Sequence, residues 1–126
     1  MTPPDQIATS GPEAADVRRH CAFQAGQKIF AEGQPSDLVY RIVSGQVDLV
    51  KADPAGDLHL AVLGPDEFLG EMDILDDTVR SVSAVALKET VLEAFGKQEF
   101  LDLVRAQPEV SLGILQSLAR RLRDRK

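Results

Sequence analysis

The sequence holds one cysteine and two histidines, and these shortages close off whole classes of chemistry. Cys21 has no second cysteine to pair with, so an internal disulfide is excluded and the reducing cytoplasm is the expected compartment. With only an isolated His20 beside it, Cys21 reads as a structural thiol rather than a nucleophile. His20 and His59 stand far apart and fit no spacing of the HExxH or CxxC kind, so no metal site is expected. Neither a GxSxG elbow nor a GxxxxGK[ST] loop occurs, and no nucleophile is matched with a base; the chain is not expected to be an enzyme.

Long apolar runs are missing too. No stretch approaches the length that crosses a bilayer, and no charged, apolar leader opens the sequence, so neither a membrane partner nor secretion is expected. The formal net charge of −6 opposes generic nucleic-acid binding, which draws its affinity from clustered Lys and Arg. The single basic cluster is C-terminal: Arg120, Arg121, Arg123, Arg125 and Lys126. A chain of 126 residues, 44% of them hydrophobic, supports one core and one domain.

What is present divides in three. Residues 1–20 read as a tail or helical lead-in, rich at first in Pro, Ser, Thr, Ala and acids. Residues 21–107 hold short strands separated by turns: "QKIFAEG", "LVYRIVSG", "QVDLVKA", the turn "DPAGD", "LHLAVLG", then two apolar runs in "SVSAVALKETVLEAFG". At least six such strands predict a mainly β fold, an antiparallel roll or jelly-roll-like barrel, with helices flanking it. From Lys97 the period lengthens to three or four, and Phe100, Leu101, Leu103 and Val104 mark a short amphipathic helix. Residues 108–126 form a last helix opened by Pro108, with an apolar stripe of Val110, Ile114, Leu115, Leu118 and Leu122. Its basic end also suits the helix dipole.

Three blocks carry a resemblance. "GQKIFAEGQPSDLVYRIVSGQVDLV" resembles a G-x-x-[IL]-x-x-x-G…Y-x-[IV]-x-x-G-x-[VA]-x-[VL] segment. "GPDEFLGEMDIL" resembles G-x-x-F-G-E-[LM]-[AG]-L, and "VRSVSAVA" resembles R-[ST]-A-x-[VA]-x-A. In this order they resemble the cyclic nucleotide-binding domain family, the β-roll of catabolite activator proteins and of the regulatory subunits of cAMP-dependent kinase. The resemblance implies a ligand, cAMP or alternatively cGMP, held by Leu69, Gly70, Glu71, Met72, Asp73, Arg80, Ser81 and Val82. It implies a ribose-hydroxyl acceptor in Glu71. It also implies a base lid on the last helix, placed by spacing at Arg121 with Arg125 next.

The chemistry of the cassette agrees. A cyclic phosphodiester carries one negative charge, and a guanidinium such as Arg80 can meet two of its oxygens with a planar fork that lysine cannot imitate. Gly70 permits close approach of the backbone, and the turn after it would present the N–H groups of Glu71, Met72 and Asp73. Ser81 adds a hydroxyl, which leaves adenine and guanine both open, with cAMP preferred. Two positions depart from the family pattern: Asp73, where Ala or Gly is usual, and Val82, where a small Ala usually follows. Two unit charges ~4 Å apart are worth about 1 kcal/mol in water and about 4 at surface-like dielectric, so an inward-pointing Asp73 would cost about tenfold or more in anion affinity.

The expected function is a sensor. Ligand occupancy would move the C-terminal helix and change a surface read by an unidentified protein effector, with no direct DNA binding by this stretch. The alternative is a roll that has lost its ligand and serves as an interaction module, forming a homodimer along Leu115, Leu118 and Leu122.

Overall fold

The computed structural model describes residues 19–124. Among these residues eight strands and three helices follow in order: β1 (Arg19–Phe23), β2 (Lys28–Phe30), β3 (Val39–Ser44), β4 (Val47–Lys51), β5 (Leu58–Leu63), β6 (Phe68–Leu69), α1 (Glu71–Leu75), β7 (Ser83–Ala86), β8 (Thr90–Phe95), α2 (Lys97–Ala106) and α3 (Pro108–Asp124). All pairings are antiparallel, in two four-stranded sheets ordered β1-β8-β3-β6 and β2-β7-β4-β5. This is the expected β-roll with helices behind it. The first strand begins earlier than the sequence suggested. Arg19 and His20, read as the end of a tail, already pair with Ala94 and Glu93 of β8, and Cys21 and Phe23 are buried. A five-residue alternation that follows directly on a polar lead-in leaves little periodicity to detect.

Two hydrophobic clusters explain why some strands read as unbroken apolar runs. In β3, Tyr40 and Ile42 face the interior of the roll, whereas Val39 packs outward beneath the helices. The same division places Leu69 inside and Phe68 outside, and Leu92 and Ala94 inside with Phe95 outside. Strands covered on both faces lose the polar half of the alternation. The outer cluster, Val39, Phe68, Ile74, Phe95, Phe100 and Leu103, accepts Val104, Val110 and Ile114, which dock α2 and the first half of α3.

Two glycines are fixed by geometry. Gly45, at φ +103°, joins β3 to β4, and a Cβ there would lie 2.6 Å from the Thr90 Cα. Gly70, at φ +85°, ends β6 and is the N-cap of α1. Both positions lie in the left-handed region that a side chain rarely tolerates.

Candidate functional site

A cavity of about 330 Å³ opens between the β2-β7-β4-β5 sheet, the Gly70–Asp73 turn and α3. Its walls are Phe30, Leu49, Leu60, Ala61, Gly70, Glu71, Met72, Asp73, Ser81, Val82, Leu118, Arg121 and Leu122. The volume falls in the range of roughly 300–1,000 Å³ typical of small-molecule sites, and the mix of apolar wall with a few polar groups is typical as well. Six of the eight residues expected on the roll line it, and so does Arg121. Leu69 does not: at 1% exposure it packs into the roll interior. Arg80 is not a lining residue either, and Arg125 falls outside the described residues.

Arg80 sits behind the wall. It is buried; Nη1 donates to the Gly70 carbonyl at 3.1 Å and Nη2 to the Leu38 carbonyl at 2.5 Å. Its guanidinium carbon stands 4.1 Å from the centre of the Phe30 ring, within cation–π range. Burial pulls its pKa below the ordinary value, while Asp73, Tyr40, Asp37 and Glu71 pull back. The missing Cβ of Gly70 makes this seat possible, since a methyl there would collide with Nη1 and lie 3.1 Å from Cζ. The glycine expected to let the backbone approach a ligand therefore makes room for Arg80 itself.

Asp73 points inward. Its side chain is only 10% exposed, Oδ1 accepts the Ser81 hydroxyl at 2.9 Å, and Oδ2 is 3.8 Å from Arg80 Nη1. Thus the two side chains expected to meet a phosphate, Arg80 and Ser81, both address one carboxylate.

Glu71 has a different cation. The Arg121 Nη2 lies 3.8 Å from its Oε2, and that same nitrogen donates to the Phe68 carbonyl at 3.2 Å and to the Ser117 hydroxyl at 3.1 Å. Burial raises the Glu71 pKa, against the opposing pull of its own backbone N–H and of Arg121. Its Oε2 is buried and makes no hydrogen bond among the described residues.

The sequence missed two features here. One is the apolar wall of Phe30, Leu49, Leu60 and Ala61, residues that look like ordinary core. The other is Glu67, whose Oε1 accepts both Ser117 at 2.8 Å and Arg120 at 2.7 Å and so fastens α3 to the segment leading into β6. Glu67 stood three residues before Gly70 in the matched block with no sign that its partners lay fifty residues away. The apolar stripe of α3 is divided: Val110, Ile114 and Leu118 are partly buried, whereas Leu115 is 62% and Leu122 71% exposed.

Residues 20–107 match the model of the cyclic nucleotide-binding domain family. The chain belongs to that family. It is 40% identical over 103 residues to the cyclic AMP receptor protein of Thermus thermophilus, covering 81% of this chain and 48% of that protein. It is 35% identical over 102 residues to a CRP-like cAMP-activated global transcriptional regulator of Mycobacterium tuberculosis, covering 80% of this chain and 46% of the relative. Among solved structures, the Thermus thermophilus catabolite activator protein superposes with a TM-score of 0.71 at 36% identity, over 94% of this chain and 58% of that one. The chain spans about half the length of these two curated relatives. Among the described residues no helix is long and apolar enough to cross a membrane.

Proposed function

We propose that this chain is a cyclic nucleotide-binding sensor module whose ligand is cAMP, with cGMP the competing candidate. One observation carries the reading: a single cavity of about 330 Å³ is bordered at once by the Gly70–Asp73 turn, by Ser81 and Val82, and by Leu118, Arg121 and Leu122 of α3. The phosphodiester would be drawn to Arg80 and Ser81. Glu71 would accept the ribose hydroxyl, and Leu49, Leu60, Ala61 and Val82 would cover the purine. The two relatives named for cAMP favour adenine over guanine. In this reading α3 is the moving part, because Glu67 and Glu71, on either side of β6, both form ion pairs with its arginines. A ligand shifts α3 only by its preference for one position of the helix over another. A protein effector would then read the exposed face of α3.

Calorimetric titration with cAMP and with cGMP tests this. Saturable binding at micromolar ligand, lost in Arg80→Ala while circular dichroism shows the variant still folded, is the expected result. No heat at millimolar cAMP or cGMP would refute it. A second reading, a roll that assembles through α3 without ligand, draws on the exposure of Leu115 and Leu122. It predicts a concentration-dependent dimer that Leu115→Lys dissolves and that cAMP leaves untouched.

A further inference from the structure

From the position of Asp73 we infer that this residue determines specificity at the site, as a built-in anion that masks Arg80 from the cavity and occupies the hydroxyl of Ser81. The inference deepens the cyclic nucleotide reading and rests on it for the identity of the ligand. Three observations converge. Asp73 lines the cavity, whereas Arg80, its cationic neighbour at 3.8 Å, does not. The Ser81 hydroxyl, the other group available to a phosphate, is already donated to Asp73 Oδ1 at 2.9 Å. Nη1, the nitrogen nearest Asp73, also donates to the Gly70 carbonyl and Nη2 donates to the Leu38 carbonyl, while Nε is buried without a hydrogen-bond partner among the described residues. The positive charge of Arg80 is therefore faced by Asp73, and a phosphodiester approaching Arg80 meets that residue first.

Binding of an anionic ligand then becomes an exchange, phosphate for carboxylate, with Asp73 swinging outward. The backbone of Asp73 is held by the Thr78 N–H, which donates to its carbonyl at 3.0 Å, so the movement falls on the side chain. Two negative charges competing for one guanidinium repel strongly wherever solvent screening is incomplete. The consequence is a narrowed preference for charged over uncharged ligands. The unmodified protein gains little from the phosphate of cAMP relative to adenosine, which has the same base and a related sugar but no charge.

The experiment compares the wild type with Asp73→Ala and Asp73→Asn, each titrated with cAMP and with adenosine. Both substitutions are expected to raise cAMP affinity about tenfold or more while leaving adenosine within about twofold. Asparagine is nearly isosteric and keeps an oxygen for Ser81, so a gain shared by both variants reports charge and not shape. Unchanged or weaker cAMP binding in both variants would overturn the inference, as would an equal gain for adenosine. If no form of the protein binds either nucleotide, the proposed function falls, and the masking is judged by inorganic sulfate at constant ionic strength. There, a sulfate-dependent rise in Tm in Asp73→Ala but not in the wild type upholds it. No such rise rejects it.

Discussion

The Arg121 guanidinium of α3 lies 3.8 Å from the Glu71 carboxylate of the Gly70–Asp73 turn, and both side chains are largely buried. This pair joins the last helix to the turn that follows β6. Arg121 also donates to the Phe68 carbonyl, so one side chain ties α3 to both sides of the β6–α1 junction.

Replacing Arg121 by Ala should therefore do two things. It leaves a buried carboxylate without its cation and the Phe68 carbonyl without its donor, a loss of about 1–3 kcal/mol in urea unfolding. It should also weaken cAMP binding more than Arg120→Ala does, because Arg120 pairs with Glu67 and does not line the cavity. Equal effects of the two substitutions on binding would count against a lid role for Arg121.

Glu71 predicts a pH dependence with a definite sign. Burial raises its folded pKa above the ordinary carboxylate value of 4.5, so the folded chain binds the proton more tightly than the unfolded one. Its contribution to stability is then most favourable below the unfolded pKa and declines as pH rises from there through the folded pKa. Glu71→Gln, which carries no charge at any pH, should be more stable than the wild type at neutral pH. That advantage should shrink as the pH falls through the raised folded pKa towards 4.5 and level off below it. Thermal unfolding of both proteins across this range checks it; an advantage that does not vary with pH would contradict the assignment.

Glu67 titrates in the opposite sense. Burial alone would raise its pKa, but the Gly64 N–H, the Ser117 hydroxyl and Arg120 together outweigh burial and hold it below the ordinary value. The stability it adds is complete above the unfolded pKa and is lost as pH falls through the folded one. Glu67→Gln should flatten the acid side of the stability profile, where Glu71→Gln instead changes the neutral side.

Gly70→Ala tests the seat of Arg80. The new methyl would collide with the guanidinium, at a φ of +85° that already disfavours a side chain, so a loss of about 1–3 kcal/mol is expected together with lost cAMP binding. Gly45→Ala is the comparison. Its methyl would meet the buried Thr90, and neither residue lines the cavity, so it should cost stability without changing the affinity of the fraction that remains folded. Loss of affinity in both would mean that the effect of Gly70 is merely one of folding.

Much of this arrangement was legible in the residues. Alternation and turns marked the strands β2 to β5, β7 and β8, and the lengthened period after Lys97 marked both C-terminal helices. What escaped detection has physical causes. β1 is only five residues long and runs straight out of a polar segment; β6 is only two. The direction of Asp73 depended on Ser81 and Arg80 being brought to one side of it, which spacing along the chain does not encode. The apolar wall of Phe30, Leu49, Leu60 and Ala61 has no chemical signature apart from core, because a purine pocket and a hydrophobic interior call for the same side chains. Arg80 stood out by its setting among acids, yet its immediate hydrogen-bond partners are two backbone carbonyls that no motif names.

The most direct test follows the amide signals of ¹⁵N-labelled protein during a cAMP titration. Binding at the cavity described predicts that the largest shifts fall on Gly70, Glu71, Met72 and Asp73, on Ser81 and Val82, and on α3 around Arg121. Shifts confined to other surfaces, or none at millimolar cAMP, would contradict it.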